Sequence, residues 1–461
     1  MYWKKSVAAG AVMACLLGFS ACGNSDMKSG PTDLTYDQIR LGTTGKDLKT
    51  KITLFTHRTD MLLDTYNGKT WKQYVSEFNK IYPNIEVEVT NNTNDEITRL
   101  QGGDWGDIMM MPTSIDASEL ENYFLSYGTV DDLDEEIRYT HAQEYGDNVY
   151  GIASTGNAVG IVYNKRIFKE AGVSETPKTP DEFISALKAV KENTEAIPLY
   201  TNYSAGWTMG AWDAYIGVTA TGDASYMKQI LLHTKNPFSD PGDGTHPYSV
   251  YKILYDAVAD GLIEDDFSTT DWEGSKSMMN SGKIAAMVLG SWAVSQVQGV
   301  GDKGDDIGYM PFPITIDGKQ YTSSTADRCY GINKDVPADE QEGSMIFVKW
   351  MVEKSGFSIN EGGIPVNKTD DSLPSVYDEF SDVTFLEDEP SIEGEEDLYT
   401  NLNSDSELSI NASNDARVQA IVEHAYNQDM AFDEIMDEWN QKWNIALENE
   451  GVDVKYDTVK K

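Results

Sequence analysis

The order of the apolar runs constrains this chain more than any other feature. KITLFTH (51–57) reads as a buried strand. In WKQYVSEFNKIYP, the residues Trp71, Tyr74, Val75, Phe78 and Ile81 recur at helical spacing, and Pro83 stops the helix. IEVEV (85–89) then alternates like a strand with one face buried. GGDWG is a turn, and DIMMMP (107–112) is another short apolar strand. Strand, helix, strand in succession predicts a layered α/β domain with a largely parallel sheet.

The same rhythm returns downstream. IVYN (161–164) is strand-like, and TPDEFISALKAVKE opens with Thr179, Glu182 and a first-turn Pro180, the signature of a capped helix start. AIPLYT (196–201), IAAMVLG (284–290) and IGYMPFP (307–313) read as further buried strands. Near the end, Ile435, Trp439, Trp443 and Leu447 fall four apart on one helical stripe. With 461 residues, 40% of them hydrophobic, the chain has material for two packed domains.

The first residues have a different composition. Lys4 and Lys5 precede an uncharged, mostly apolar stretch from Ser6 to Ala21, with the small residues Ser20 and Ala21 before Cys22. The stretch is shorter than the roughly 18–20 apolar residues that cross a bilayer. The polar GNSDMKSGPTDLTYDQ follows, so 22–50 is expected to be a flexible tether. The whole resembles a bacterial lipoprotein signal (1–21), which implies a lipid on Cys22 and a body anchored at the outer, extracytoplasmic face of the cell membrane. Cys15 then leaves with the signal, and Cys329 has no partner for an intrachain disulfide.

Charge narrows the partners. The formal net charge is -40, which repels phosphate backbones and makes nucleic acid a poor partner. Half of the twenty positions from Asp378 to Asp397 are acidic, and the expectation there is a solvated surface loop. Their spacing does not match a calcium-binding loop.

WKQYVSEFNKIYPNIEVEV, GDWGDIMMMP, VYGIASTGNAVGIVYNKRIFKEAGV, TPKTPDEFISALKAVKE, SGKIAAMVLGSW, IGYMPFPI and GGIPVNK, in this order, resemble the sugar-binding lipoproteins of ATP-driven (ABC-type) importers, extracellular solute-binding protein family 1, the group that includes maltose-binding protein. The resemblance implies an α/β, two-lobed, periplasmic-binding-protein-like fold with ligand held between lobes. It places 51–156 and 308–360 in the N-terminal lobe, and 157–307 and 361–461 in the C-terminal lobe. It further implies an oligosaccharide ligand, importer permease subunits as partners, a monomeric receptor, no cofactor and no catalysis.

Open α/β sheets present ligands at the carboxyl ends of their strands. His57, Arg58 and Asp60 follow the first strand, and Met111, Thr113 and Ser114 close the DIMMMP strand, so all six are expected at the cleft. Trp105 precedes its strand and belongs at the far edge. The resemblance adds Asn157 in the crossing segment, Trp207 and Trp292 as aromatic stacking positions, and Asp327 and Gly363 near later crossings. An indole face suits the C–H face of a pyranose, and Asp, Asn, Arg and His suit its hydroxyls.

Other readings stay open. GVGDKG (299–304) has dinucleotide-fingerprint spacing but leads into a strand, so it reads as a turn. No HExxH pair, zinc spacing or GxSxG elbow is present, and no metal is expected. The same scaffold would also suit a polyamine, peptide or amine-bearing solute. A secreted glycoside hydrolase needs two facing carboxylates, for which Asp60 and Asp327 are the nearby acids.

Overall fold

The computed structural model describes residues 32, 34–66, 68–91, 96–112, 115–411 and 416–459. Two sheets organise the chain. The first uses β1 (Thr50–Phe55), β2 (Ile85–Thr90), β3 (Ile108–Met110), β4 (Ile152–Ala153) and, much later, β10 (Cys329–Ile332), in the spatial order β2-β1-β3-β10-β4. β1 runs parallel to β2 and β3, as the connecting helix Trp71–Phe78 requires. Thr70 caps that helix, and Trp71, Tyr74 and Phe78 bury its apolar face. Ile81 falls beyond the helix end and is exposed.

The second sheet is centred on β5 (Gly156–Asn164), buried along its whole length. Around it lie β6 (Ile197–Leu199), β7 (Ile284–Gly290), β8 (Ile307–Met310), β9 (Gln320–Ala326) and β11 (Val383–Leu386). The order is β11-β9-β5-β7-β6, with β8 also pairing with β5. Thr179 caps the helix Pro180–Asn193, whose Phe183, Leu187 and Val190 pack beneath this sheet. The helix Phe432–Asn449 closes the same core with Ile435, Trp439, Trp443 and Leu447.

The chain passes between the sheets at Ser154–Thr155 and at Asp327–Arg328 and runs along both near Glu361–Ile364. There Ile364 packs with the second sheet but Val366 still lies in the first core, so the last departure comes after 361. These segments are bonded to one another. Ser154 N–H donates to the Arg328 carbonyl (2.9 Å), Asp327 N–H to Thr155 (2.8 Å), and Gly156 and Ile364 exchange two bonds of 2.8 Å. A side chain at Gly363 would collide with Thr155 Oγ1 and Gly156 O, so this close approach needs glycine.

Three expectations are corrected here. The return to the first sheet does not begin at 308. β8 pairs antiparallel with β5, and Met310, Phe312 and Ile314 are buried with the second sheet, so re-entry waits for β10 at Cys329. The tether does not reach residue 50, because Tyr36 and Ile39 are fully buried in the first core. Tyr36 N–H donates to the Tyr127 carbonyl, and the buried Lys349 ammonium lies 4.1 Å from the Tyr36 ring centroid and donates to the Tyr36 carbonyl. The acidic stretch is not simply a loop either. Tyr377, Phe380 and Phe385 pack as a ring cluster, β11 adds a strand to the sheet, and the Tyr163 hydroxyl donates to Glu379. Cys22 lies outside the described residues. Cys329 is free and buried, and no helix among the described residues is long and apolar enough to cross a membrane.

Candidate ligand-binding site

A cavity of about 80 Å³ opens where the passages meet, lined from the first sheet's side by His57, Arg58, Met110, Phe357 and Glu361. Ser154, Thr155, Asn157 and Asp327 line it from the passages, and Trp292, Ser295 and Gln296 from the second sheet's side. The strand-end rule accounts for much of this. β1 ends at Phe55, the buried Thr56 hydroxyl accepts from Arg58 N–H (3.0 Å), and this turn sets His57 and Arg58 over the sheet edge. The helix Trp292–Gly299 follows β7, and one turn later Ser295 and Gln296 share the Trp292 face.

Arg58 organises one wall. Its Nε and Nη2 fork Asp60 (3.0 and 2.8 Å), Nη2 also donates to the Tyr66 hydroxyl (3.0 Å), and Nη1 lies 2.9 Å from Glu361 Oε2. Tyr66 in turn donates to Glu361 (2.8 Å). Burial opposes the Arg58 charge, yet Asp60 and Glu361 raise its pKa above the ordinary value. Burial likewise opposes the Asp60 charge, and the bonds from Arg58 outweigh it and lower its pKa. His57 is held neutral, its pKa pushed down to about 3 by burial and then by the charges of Arg328 and Arg58. Burial raises the pKa of Asp327 against the pull of Arg328, Arg58 and a bond from Asn157.

On the opposite side Trp292 lines the cavity, and Trp207 and Trp272 pack against it. Trp207, Trp272 and Trp292 form a triangle with every pair of ring centroids 5.6 Å apart. Trp207 is 41% exposed despite this packing. Lys276 sits over Trp272 at 5.1 Å. Asn157 lies beside Ser291, whose hydroxyl also accepts from Tyr377 (2.7 Å).

Three buried polar atoms of this cavity have no hydrogen-bond partner: His57 Nδ1, Ser154 Oγ and Glu361 Oε1. Buried polar atoms also lack partners elsewhere, among them Tyr226 Oη and Trp443 Nε1. What sets these three apart is that their residues line one cavity, where a bound hydroxyl would satisfy them. A larger cavity, about 390 Å³, is lined by Tyr139, which a Gly156 side chain would meet. Its polar groups are already engaged. Arg138 donates to the carbonyls of Pro365 and Asn367 and to Asp371, and the Tyr139 hydroxyl pairs with Ser324.

The structure thus brings together His57, Arg58, Asn157, Trp292 and Asp327, with Asp60 behind Arg58, Trp207 beside Trp292 and Gly363 packed against Thr155. Met111 is not at the cavity. Its sulfur faces Gly151 and Gly331 in the first core, and Met110 lines the cavity instead, because adjacent strand residues point to opposite faces. Thr113 and Ser114 lie outside the described residues. Trp105 is buried against Phe124, away from the cavity. Sequence reasoning missed Glu361, Ser154, Thr155, Ser295, Gln296, Phe357 and Trp272. The helical offset from Trp292 signals Ser295 and Gln296, whereas nothing in the sequence ties Glu361 to Arg58.

A family model described as bacterial extracellular solute-binding protein matches residues 64–356. The chain belongs to this family. This solute-binding protein is 27% identical over 321 residues to the multiple sugar-binding protein of Streptococcus mutans, spanning 66% of this chain and 72% of that one. It is similar to two solved binding proteins of Bifidobacterium animalis subsp. lactis. One is a manno-oligosaccharide specific solute-binding protein in complex with mannotriose, 54% identical over 91% of this chain and 100% of that one, with a TM-score of 0.86. The other is the binding protein of an ABC transporter in complex with mannobiose, with the same identity, coverage and TM-score. A raffinose complex of the protein RafE, 18% identical with a TM-score of 0.60 over 86% of this chain and 99% of that one, shares the fold.

Proposed function

We propose that this protein is the receptor of an ABC-type importer, capturing a manno-oligosaccharide between its two lobes and delivering it to the permease. The three unpartnered polar atoms facing one cavity beside a tryptophan triangle carry the reading. A sugar offers both what they lack and what the indoles cover, hydroxyls at its edge and a C–H face. The 54% identity to proteins crystallised with mannose oligomers supplies the sugar. His57, Arg58, Asn157, Trp292 and Asp327 make the direct contacts, Trp207 extends the aromatic wall, and Asp60 and Gly363 hold the others in place.

Each lobe is built on one sheet, and the passages at 154–155, 327–328 and 361–364 form the hinge. A ligand touching both walls favours the closed form, which docks on the importer. The receptor is a monomer, its first 21 residues are removed, and Cys22 carries the lipid. Hydrolysis is disfavoured by the charge arrangement. Asp60 and Glu361 are both locked to Arg58, which leaves Asp327 without a second free carboxylate among the described lining residues.

Thermal unfolding of the purified full chain in detergent, with mannobiose, mannotriose, raffinose, spermidine and a tripeptide, tests the reading. A ligand at a hundred times its dissociation constant stabilises by about 2.7 kcal/mol. Stabilisation by the mannose oligomers, recovered intact, is expected. A response to spermidine or the tripeptide alone, or recovery of cleaved sugar, overturns it.

A further inference from the structure

The charges around the cavity are unevenly satisfied. Arg58 spends its fork on Asp60 and Tyr66 and its remaining edge on Glu361. Of the cations behind the lining, Arg328 gives Nη1 to Glu96, and Lys276, which also reaches Gln296, is paired with Glu273. Among the lining residues one cation, Arg58, stands against two carboxylates, Glu361 and Asp327, and Glu361 Oε1 lacks any donor. The lining is therefore net negative, with acceptors in excess of free donors.

We propose that this site admits uncharged saccharides and rejects uronates, and that Glu361 sets the filter by occupying the Arg58 edge a ligand carboxylate would otherwise take. The proposal rests on the reading of the cavity as a saccharide site and deepens it. A sugar hydroxyl can donate to Glu361 Oε1 and to Asp327. A carboxylate at the same place cannot donate, meets two like charges, and finds both edges of the Arg58 guanidinium taken. Arg58, taken from the sequence alone, would suit an acidic sugar as well as a hydroxyl pair. Its partners in the structure decide for the hydroxyls. Glu361 is 4% exposed at its side chain, so the pairing with Arg58 is little screened by water.

Calorimetric titration of the full chain in detergent with mannotriose and with trimannuronate, the same sugar bearing a carboxylate on each ring, tests this. The wild type is expected to bind trimannuronate at least 100-fold more weakly than mannotriose. In Glu361→Gln, which keeps the shape and frees Arg58 of one counter-charge, the gap should narrow at least 10-fold. Asp327→Asn should narrow it by a smaller factor, and decides the matter should Glu361→Gln fail to fold. Trimannuronate binding within 10-fold of mannotriose in the wild type overturns the filter alone. So does an unchanged gap in folded variants of both kinds. Binding of neither trimer defeats the saccharide reading itself.

Discussion

The wall of the cavity supplied by the first sheet is a charge network, whereas the wall from the second sheet is a triangle of indoles. The two differ in what fixes them. Arg58 is held from three sides by bonds of 2.8–3.0 Å, so its wall is set before any ligand arrives. Trp272 and Trp292 pack against the core beside β7, whereas Trp207 keeps 41% of its surface in water. A fixed polar wall selects among hydroxyl patterns, since leaving one of its groups unpaired is costly. An aromatic wall contributes area and tolerates variation in what lies on it. On the proposed function, selectivity belongs to the first wall and much of the affinity to the second.

The sharpest way to break this contrast is to remove the guanidinium. Arg58→Ala strands the buried Glu361 and is expected to lower stability by about 3 kcal/mol, read from the urea midpoint. The Asp60 side is half exposed and contributes little to that figure. Arg58→Lys should recover less than half, because an ammonium cannot fork Asp60 and reach Glu361 together. Removing the anchor of the other wall, Trp292→Ala, should weaken mannotriose binding by about 1–3 kcal/mol in calorimetry while leaving selectivity between neutral sugars nearly unchanged. An unchanged affinity would assign Trp292 to packing alone. Trp272→Ala touches the ligand wall only through its neighbours and should cost about 0.5–1.5 kcal/mol of affinity.

The smallest expected effect is a pH dependence of the charged wall. His57 has its folded pKa depressed to about 3, so below its ordinary 6.5 the unfolded chain takes up a proton that the folded one refuses. Its contribution to stability is full above that value and is lost progressively as pH falls toward 3. Between pH 7 and 6 the loss is roughly 0.7 kcal/mol. His57→Gln should flatten the acid limb of the stability curve by that amount, measured by urea unfolding at the two pH values.

The first wall was half legible in the sequence and the second less so. A strand that ends at Phe55 delivers the next residues to the sheet edge, and that local rule found His57, Arg58 and Asp60. The same rule missed by one at the third strand, where Met110 and not Met111 faces the cavity, because a strand's facing is set by pairing and not by length. Glu361 was illegible. Its partner lies about 300 positions away, and only the third passage between the sheets brings them together. Trp272 begins a helix whose approach to Trp207 and Trp292 is a tertiary fact. The fold was more legible because strand and helix periods are local. Its one large displacement, the late return to the first sheet, came from the boundary the resemblance implied, which the antiparallel pairing of β8 with β5 moves to β10.

Tyr36 and Lys349 bolt the start of the body onto the first lobe. On the proposed lipidation of Cys22, only about fourteen residues separate membrane from bolt, a leash of at most about 50 Å at full extension. That is on the scale of the body itself. On that proposal the receptor stays within this reach of the bilayer and meets importers by lateral diffusion in the same membrane, with its attachment entering the body at the first lobe.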